Sequence, residues 1–157
     1  MTETNQPPVV YIDAPRQPAL QTIYSYWQAK RGARPMPARA DISPAELKAV
    51  LPDIMIWSAV PPYLVRLVGD NIVRFVGRND TGFPATHTMP PDAAQGMTDV
   101  FTQVIQTKTP RFRLGKAYWT PEKSYRDFEA CFLPLGADGE TADMILGGLK
   151  FDIDSGT

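Results

Sequence analysis

Cysteine, histidine and net charge are all nearly missing from this sequence of 157 residues. Its single cysteine, Cys131, excludes an intrachain disulfide and suits a reducing compartment. Its single histidine, His87, argues against a metal centre built on several histidines and against a nucleophile–histidine catalytic pair. A formal net charge of -1 argues against general binding to nucleic acids or anionic membranes.

Long apolar segments are also absent. No run approaches the roughly 20 apolar residues that a transmembrane helix requires. The N-terminus lacks the basic start and apolar core of a secretory signal. Zinc-ligand spacings, Gly-rich phosphate loops and nucleic-acid-binding motifs are missing too. The sequence therefore predicts a cytoplasmic protein with no nucleic-acid or membrane partner, no metal site and no catalytic residues, and it leaves the cofactor unknown.

The composition, 43% hydrophobic and 21% charged, is that of a globular protein large enough for one core. Prolines at positions 7, 8, 15 and 18 predict that residues 1–18 form a flexible N-terminal segment. Within it, residues 9–12 can still add a short strand or dock on a partner. Residues 19–154 are expected to form a single domain.

The first predicted helix, Leu20–Arg31, has an aromatic stripe at helical spacing that includes Tyr24 and Trp27. Such a stripe needs a large apolar surface to cover it. That surface is either the sheet of the same domain or a second subunit, and the two alternatives are compatible. Tyr24 and Trp27 are therefore the candidate interface residues of a homodimer or of a complex with a signalling partner.

Hydrophobic alternation and turn signals divide the rest of the chain into helices and antiparallel strands. Pro44 at the first helical position and Pro52 beyond the last predict a short helix over Pro44–Val50. Strands are predicted at residues 53–60, 63–68, 111–119, 125–135 and 142–153, and a long helix at residues 92–108. Adjacent Gly147 and Gly148 weaken the last strand unless a neighbouring group approaches its backbone closely.

Residues 62–83 join the second predicted strand to helical turns. The strand stops at Gly69, a single apolar turn follows over Ile72–Val76, and Gly77 and Gly82 bracket a polar loop. A strand that runs directly into short helices makes half of a cup rather than a flat layer. We therefore expect a pocket between the sheet and this segment.

Two strands, a helical crossover and three antiparallel strands follow the element order of a PAS domain. Several sequence pieces also resemble the PAS_5 family of small proteobacterial PAS-like proteins. They include Tyr-Trp-Gln-Ala-Lys-Arg-Gly, Pro-Ala-Arg-Ala-Asp-Ile-Ser-Pro, Leu-Pro-Asp-Ile, Arg-Leu-Val-Gly and Gly-Arg-Asn-Asp-Thr-Gly, at residues 26–32, 37–44, 51–54, 66–69 and 77–82. The pieces occur in the family's order, and the likeness covers about residues 20–153.

The resemblance implies an α+β fold: a PAS-like five-stranded antiparallel sheet with helices on one face and an added N-terminal helix. In that fold the last strand lies beside the first, and the helices form a pocket. The resemblance implies a signal-sensing or protein-interaction domain and supplies no catalytic residues. A flavin-adduct cysteine would belong on the helix after the second strand, where this sequence has none, so we interpret Cys131 as a buried apolar residue.

Five residues are candidates for the lining of the pocket: Trp57, Arg66, Phe75, His87 and Trp119. His87 either packs within a Pro- and Thr-rich loop or contacts a ligand, and haem ligation is one form of that contact. Arg66 either binds a carboxylate or phosphate from within the cup or pairs with an acid on the exposed face. The three aromatic residues belong to the core by default.

Three functional hypotheses follow. The first is a non-enzymatic PAS-type sensor or adaptor that acts through protein contacts, with or without a small molecule in the pocket, and whose output is made by a partner. The second is a small enzyme or ligand carrier on a curved α+β cone, which requires a polar dyad inside the pocket. The third is an interaction module with a filled core. The residues that line the pocket discriminate between the three.

Overall fold

The computed structural model describes residues 9–117 and 126–152. Within these ranges the chain forms three α-helices: α1 Pro18–Arg31, α2 Asp70–Val76 and α3 Pro91–Thr107. It also forms six strands: β1 Val10–Ile12, β2 Ile54–Ser58, β3 Val65–Val68, β4 Arg111–Lys116, β5 Asp127–Leu135 and β6 Met144–Phe151. The predicted α+β class is confirmed.

The strands form one antiparallel sheet in the order β1-β4-β5-β6-β2-β3. Strand β6 therefore lies beside β2, as expected for the last and first strands of the predicted sheet. The sheet has six strands rather than five because β1 pairs with β4, with Tyr11 opposite Arg113. Residues 10–12 thus add a short strand, the first of the two roles that the sequence left open for them.

Side chains alternate along β5 and divide the interior into two cores, one on each face of the sheet. Phe128 and Phe132 belong to the core beneath α2 and α3. Cys131 and Leu133 belong to the core beneath α1. We refer to these two sides as the α3 face and the α1 face of the sheet.

The paired glycines of β6 lie where both cores press closely on the sheet. A Cβ atom built on Gly147 would lie 2.3 Å from Cζ3 of Trp57, on the α3 face. A Cβ atom built on Gly148 would lie 2.6 Å from Cδ2 of Leu20, on the α1 face. Neither position has room for a side chain because the interior is close-packed. The sequence indicated that a neighbouring group must approach the backbone of this strand closely. Such a group is present on each face of the sheet.

Helix α1 is fixed to the sheet at both of its ends. At the N-terminus, the backbone N–H groups of Arg16 and Gln17 donate to Oε2 of Glu129 at 2.8 and 3.1 Å. Near the C-terminus, Nε1 of Trp27 donates to the carbonyl of Pro134 at 2.8 Å. The aromatic stripe of α1 therefore packs on the sheet of its own domain, which is one of the two surfaces that the sequence allowed.

The segment after α1 is a series of hydrogen-bonded turns rather than the predicted helix Pro44–Val50. Its backbone bonds mostly span three residues, as in the bond from the N–H of Glu46 to the carbonyl of Ser43 at 3.1 Å. Pro44 and Pro52 have no backbone N–H groups, so α-helical bonds cannot continue past either end of this stretch. Local turn bonds therefore replace the helix.

Tyr26 holds these turns against α1. Its hydroxyl accepts a hydrogen bond from the N–H of Ser43 at 2.9 Å and donates one to Oε1 of Glu46 at 2.8 Å. Nζ of Lys30 lies 3.2 Å from the same carboxylate oxygen. The hydrogen bond from Tyr26, aided by Lys30, holds the pKa of Glu46 below its ordinary value.

Candidate functional site

A cavity of about 50 Å³ lies on the α3 face, between the sheet and the segment from α2 to the start of α3. Strands β2, β3 and β6 form its floor, and α2 and the loops after it form its walls. The described lining is mostly apolar and comprises Met55, Trp57, Val65, Val68, Ile72, Val76, Arg78, Asp80, Ala85, His87, Met89, Met97, Leu149 and Phe151. A mostly apolar cavity with a few polar groups is typical of a small-molecule site.

The floor of the cavity contains a fixed aromatic ring. Trp57 is 1% exposed, and its ring packs against Phe101 and Phe132 at centroid distances of 5.0 and 5.7 Å. The backbone of Gly147 lies against the same ring. Because Trp57 is held on several sides, this part of the cavity has a defined shape.

The rest of the lining includes three methionines, Met55, Met89 and Met97. Methionine is unbranched, and its thioether adapts to irregular space at little energetic expense. This part of the lining is therefore more adaptable in shape than the packed ring of Trp57.

The polar lining residues Arg78, Asp80 and His87 meet at one place. We call this place, together with the neighbouring Thr88, the mouth. Nε of Arg78 donates to Oδ1 of Asp80 at 2.8 Å. Nη2 of Arg78 donates to the carbonyl of His87 at 3.4 Å and to Oγ1 of Thr88. Arg78 thus joins the loop after α2 to the loop before α3.

Asp80 is carried by a loop between two glycines in the left-handed region, Gly77 with a φ of 90° and Gly82 with a φ of 89°. Gly77 ends α2 in this conformation, which other residues adopt only with strain. Inside the loop, Oδ1 of Asn79 accepts hydrogen bonds from N–H and Oγ1 of Thr81 at 3.0 and 2.6 Å. The glycines therefore set the position of a compact polar turn.

The far end of this loop also pairs with the outer side of β3. The N–H of Gly82 donates to the carbonyl of Val65 at 2.8 Å, and the N–H of Val65 donates to the carbonyl of Phe83 at 2.9 Å. Leu64 and Pro84 form an isolated antiparallel bridge beside these bonds. The loop that closes the cavity therefore also covers the β3 edge of the sheet.

His87 stands at the mouth and stacks on Phe83, with ring centroids 4.3 Å apart and an interplanar angle of 17°. It is half-buried and lines the cavity. Phe83 is 48% exposed, so the stacked pair extends from the cavity to solvent. Both alternatives for His87 remain compatible with this position, because it packs within a loop and also contacts the cavity.

Two of the five residues predicted for the lining, Trp57 and His87, lie on the same cavity. Arg66 is exposed and lies outside the described lining, because β3 bulges there: Ile56 pairs with Leu67 and Trp57 pairs with Val65. Arg66 is the residue that this bulge leaves without a position in the register.

The remaining two predicted lining residues do not join them. Phe75 lies in a separate open cleft, where its ring stacks on Phe151 with centroids 3.8 Å apart. Phe151 in turn faces the cavity, so Phe75 lies behind a wall residue. Trp119 is outside the residues that the structure describes.

The candidate interface residues on α1 differ in their accessibility. Trp27 is 2% exposed and belongs to the core of the α1 face. Tyr24 is half-buried and packs edge-on against Phe112, with ring centroids 4.9 Å apart. An interface on α1 therefore has Tyr24 available at its surface, whereas Trp27 supports the helix from below.

Sequence reasoning missed the two charged residues that hold the mouth together. Arg78 and Asp80 both lie in the loop whose bracketing glycines, Gly77 and Gly82, are visible in the sequence. The loop contains two opposite charges and follows the segment that was predicted to form the cup. That combination was the sequence signal for a polar group at the cavity. The three lining methionines have no comparable signal, because methionine serves equally well in any core.

Cys131 lies on the α1 face, away from the cavity. It is buried, and burial raises the pKa of its thiol to about 12. The thiol therefore stays protonated at neutral pH, and the interpretation of Cys131 as a buried apolar residue is confirmed. Across the described ranges, no group of three or more His, Cys, Asp or Glu side chains is placed to hold a metal ion.

The sequence pattern of the PAS_5 family, described as a PAS domain, matches residues 15–150. The chain belongs to the PAS_5 family. The resemblance carried by the short motifs is thereby confirmed over nearly the whole described domain. No curated protein shows significant sequence similarity to this PAS_5 chain.

Solved structures share the fold at low sequence identity. The PAS domain of Bordetella pertussis BvgS has a TM-score of 0.53 and 22% identity, covering 71% of this chain and 88% of that one. An RNA-binding light-oxygen-voltage receptor has a TM-score of 0.54 and 11% identity, covering 94% and 39%. The Rhodobacter sphaeroides LOV protein has a TM-score of 0.49 and 17% identity, covering 66% of this chain.

This PAS_5 chain spans 60% of the length of that Rhodobacter sphaeroides LOV protein. At such identities the likeness to the BvgS domain and to the RNA-binding receptor shows the PAS fold alone. The match to the PAS_5 family supports the role of a sensor domain. No helix in the described part of the chain is both long and apolar enough to cross a lipid bilayer.

Proposed function

We propose that this PAS_5 domain is a non-enzymatic sensor that binds a small, mainly apolar molecule in the cavity beneath α2 and passes the signal through protein contacts. The observation that carries the proposal is the lining: a buried Trp57 floor and apolar walls, with polar groups confined to the mouth. An apolar lining with few polar anchors suits reversible binding. Membership of the PAS_5 family supports the same role.

The placement of the acidic residues supports sensing over an enzyme of the same fold. Catalysis would need a polar dyad inside the cavity, such as a buried aspartate with His87. Asp80 lines the cavity, but its described partner is Arg78. The buried Asp53 accepts a hydrogen bond from Nδ2 of Asn71 at 2.9 Å and belongs to the separate cleft that also contains Phe75.

Native mass spectrometry of freshly purified protein, together with an absorbance spectrum, tests whether a molecule is bound. We expect a retained mass that is lost on denaturation. The variant Ala85→Leu adds bulk to the cavity wall and should reduce that mass. Ala45→Leu makes the same change at an exposed turn and should leave it unaffected. Wild-type protein with no retained mass, and no response of Trp fluorescence to any small-molecule panel, would contradict the binding proposal.

The output is proposed to pass to a second copy or to a signalling protein in the cytoplasm, with α1 as the contact surface. Tyr24→Ala tests this surface, because Tyr24 is half-buried whereas Trp27 belongs to the core. We expect sedimentation velocity to show weaker self-association of the variant, with a urea midpoint measured in parallel to exclude unfolding. An unchanged dimer, or monomers in both proteins, would exclude a dimer contact at this position.

A further inference from the structure

We infer that the cavity selects molecules with a carboxylate on an apolar body, and that Asp80 takes the place of that carboxylate on Arg78 when no such molecule is bound. The inference rests on the proposed sensor function, since it names the chemical class of the bound molecule. It is carried by the geometry of Arg78, by the exposure of its ion pair and by the bonds that hold Arg78 to the loop of His87 and Thr88.

Only some of the N–H groups of Arg78 are bonded within the described residues, and the others are available at the mouth. Its Nη2 donates to the carbonyl of His87 and the hydroxyl of Thr88, and its Nε donates to Asp80. Within the described residues its Nη1 has no acceptor. A guanidinium is a fork of five N–H donors that matches the two oxygens of a carboxylate. Asp80 places one carboxylate oxygen, Oδ1, on one nitrogen of Arg78, Nε, so the two-oxygen match is incomplete.

The pair between Arg78 and Asp80 is open to exchange. The Arg78 side chain is 40% exposed and that of Asp80 is 21% exposed. An ion pair at this exposure is weakened by water and salt, so it changes an equilibrium by less than about tenfold. A second carboxylate that brings an apolar body into the cavity gains burial that Asp80 cannot provide.

The two partners of the pair differ in their freedom to move. Both residues lie on the turn between Gly77 and Gly82, but among the described residues the Asp80 side chain is bonded only to Arg78. Arg78 remains bonded to the loop of His87 and Thr88 when Asp80 leaves. The exchange therefore displaces the Asp80 carboxylate while the Arg78 guanidinium keeps its place as the anchor.

The occupant of the cavity follows from the same residues. Ile72, Val76 and Met97 are apolar lining residues and offer contacts to a short aliphatic chain. An alcohol of equal length can enter this space but cannot form the charged fork with Arg78. An amine of equal length brings a positive charge next to Arg78 and is disfavoured by it.

Isothermal titration calorimetry with hexanoate, hexanol and hexylamine tests the inference on the wild-type chain and three variants. We expect wild type to prefer hexanoate. Asp80→Asn removes the competing charge and should bind hexanoate about fivefold more tightly, the size expected for one exposed ion pair, with hexanol unchanged. Arg78→Gln should lose the preference. Arg74→Gln removes an exposed arginine of α2 outside the described cavity lining and should behave as wild type.

The outcomes separate this inference from the proposed function. Equal binding of hexanoate and hexanol by wild type would overturn the carboxylate preference and leave an apolar binding site standing. An unchanged hexanoate affinity in Asp80→Asn would overturn the exchange. Failure of all three probes, with a different retained mass in native mass spectrometry, would overturn the chemical class alone. Failure of the probes with no retained mass would overturn the inference together with the sensor function on which it rests.

Discussion

Glu129 shows how a single residue determines where a helix begins. It is 1% exposed, and its Oε2 accepts two backbone N–H bonds at the start of α1. The N-terminal end of a helix carries a partial positive charge and N–H groups without helical partners. A buried carboxylate from a neighbouring strand satisfies both needs. Gln17, the N-cap residue, makes no side-chain capping bond of its own.

Glu129→Ala should therefore destabilise the domain. The change leaves the N–H groups of Arg16 and Gln17 without their acceptor and opens a space in the core, for a loss of about 1–3 kcal/mol. Urea denaturation followed by circular dichroism measures it. Glu140→Ala, at an exposed turn, should change the free energy of unfolding by less than about 0.5 kcal/mol. Equal losses in both variants would contradict the capping role of Glu129.

Individual site residues were predictable only where the backbone followed a regular pattern. Trp57 faces the cavity because strand alternation holds along β2. Arg66 lies outside the described lining because a bulge in β3 resets the alternation, and no residue type near it indicates a bulge. Glu129 sits in a strand as an ordinary polar position, and its role depends on α1, which is more than 100 residues away in sequence. Long-range partners of this kind are invisible to local patterns.

At the scale of elements, strands and long helices followed their sequence patterns, whereas the segment between α1 and β2 did not. Its turns are held by side-chain bonds to Tyr26 and Lys30 rather than by helical periodicity. The pKa of Glu46 is lowered by these contacts. A lowered carboxyl pKa means that the folded state favours the ionised form, so the segment's attachment depends on pH.

The sign of this dependence can be tested with Glu46→Gln. The contribution of the Glu46 charge is complete above its ordinary pKa of 4.5 and is lost as the pH falls through the lower folded-state pKa. We expect wild type to be more stable than the variant above the ordinary pKa of 4.5 and the gap to close as the pH falls below it. Urea midpoints across this range measure the gap. When Lys30→Gln is present in both proteins, the stability difference at neutral pH should be smaller. A stability difference that does not change with pH would contradict the role given to the Glu46 charge.

The molecule as a whole is one sheet shared by two cores, and β6 is the strand on which both depend. Trp57 presses on Gly147 from the α3 face while Leu20 presses on Gly148 from the α1 face. The sequence showed that something must approach this glycine pair. It could not show that two different cores do so, because the two contacts come from β2 and α1.

Gly147→Ala and Gly148→Ala should both destabilise the fold, by about 1–3 kcal/mol each, because an added methyl group overpacks a filled interior. A second substitution that compensates for one of these losses should not compensate for the other. Trp57→Phe makes room on the α3 face and should offset part of the Gly147→Ala loss, with no such coupling to Gly148→Ala. Double-mutant cycles from urea denaturation measure the coupling. Equal coupling of Trp57→Phe to both glycine variants would show that the two cores are not separated by the sheet.

The hydrogen bonds between Val65 and the segment Gly82–Phe83 also bear on how the protein behaves when it is concentrated. An uncovered strand at the end of a sheet recruits strands from other molecules and begins aggregation. Here the loop that closes the cavity also covers the β3 end of the sheet. Shortening this loop to open the cavity would therefore expose an unpaired, aggregation-prone edge strand, and the solubility of the protein would decrease.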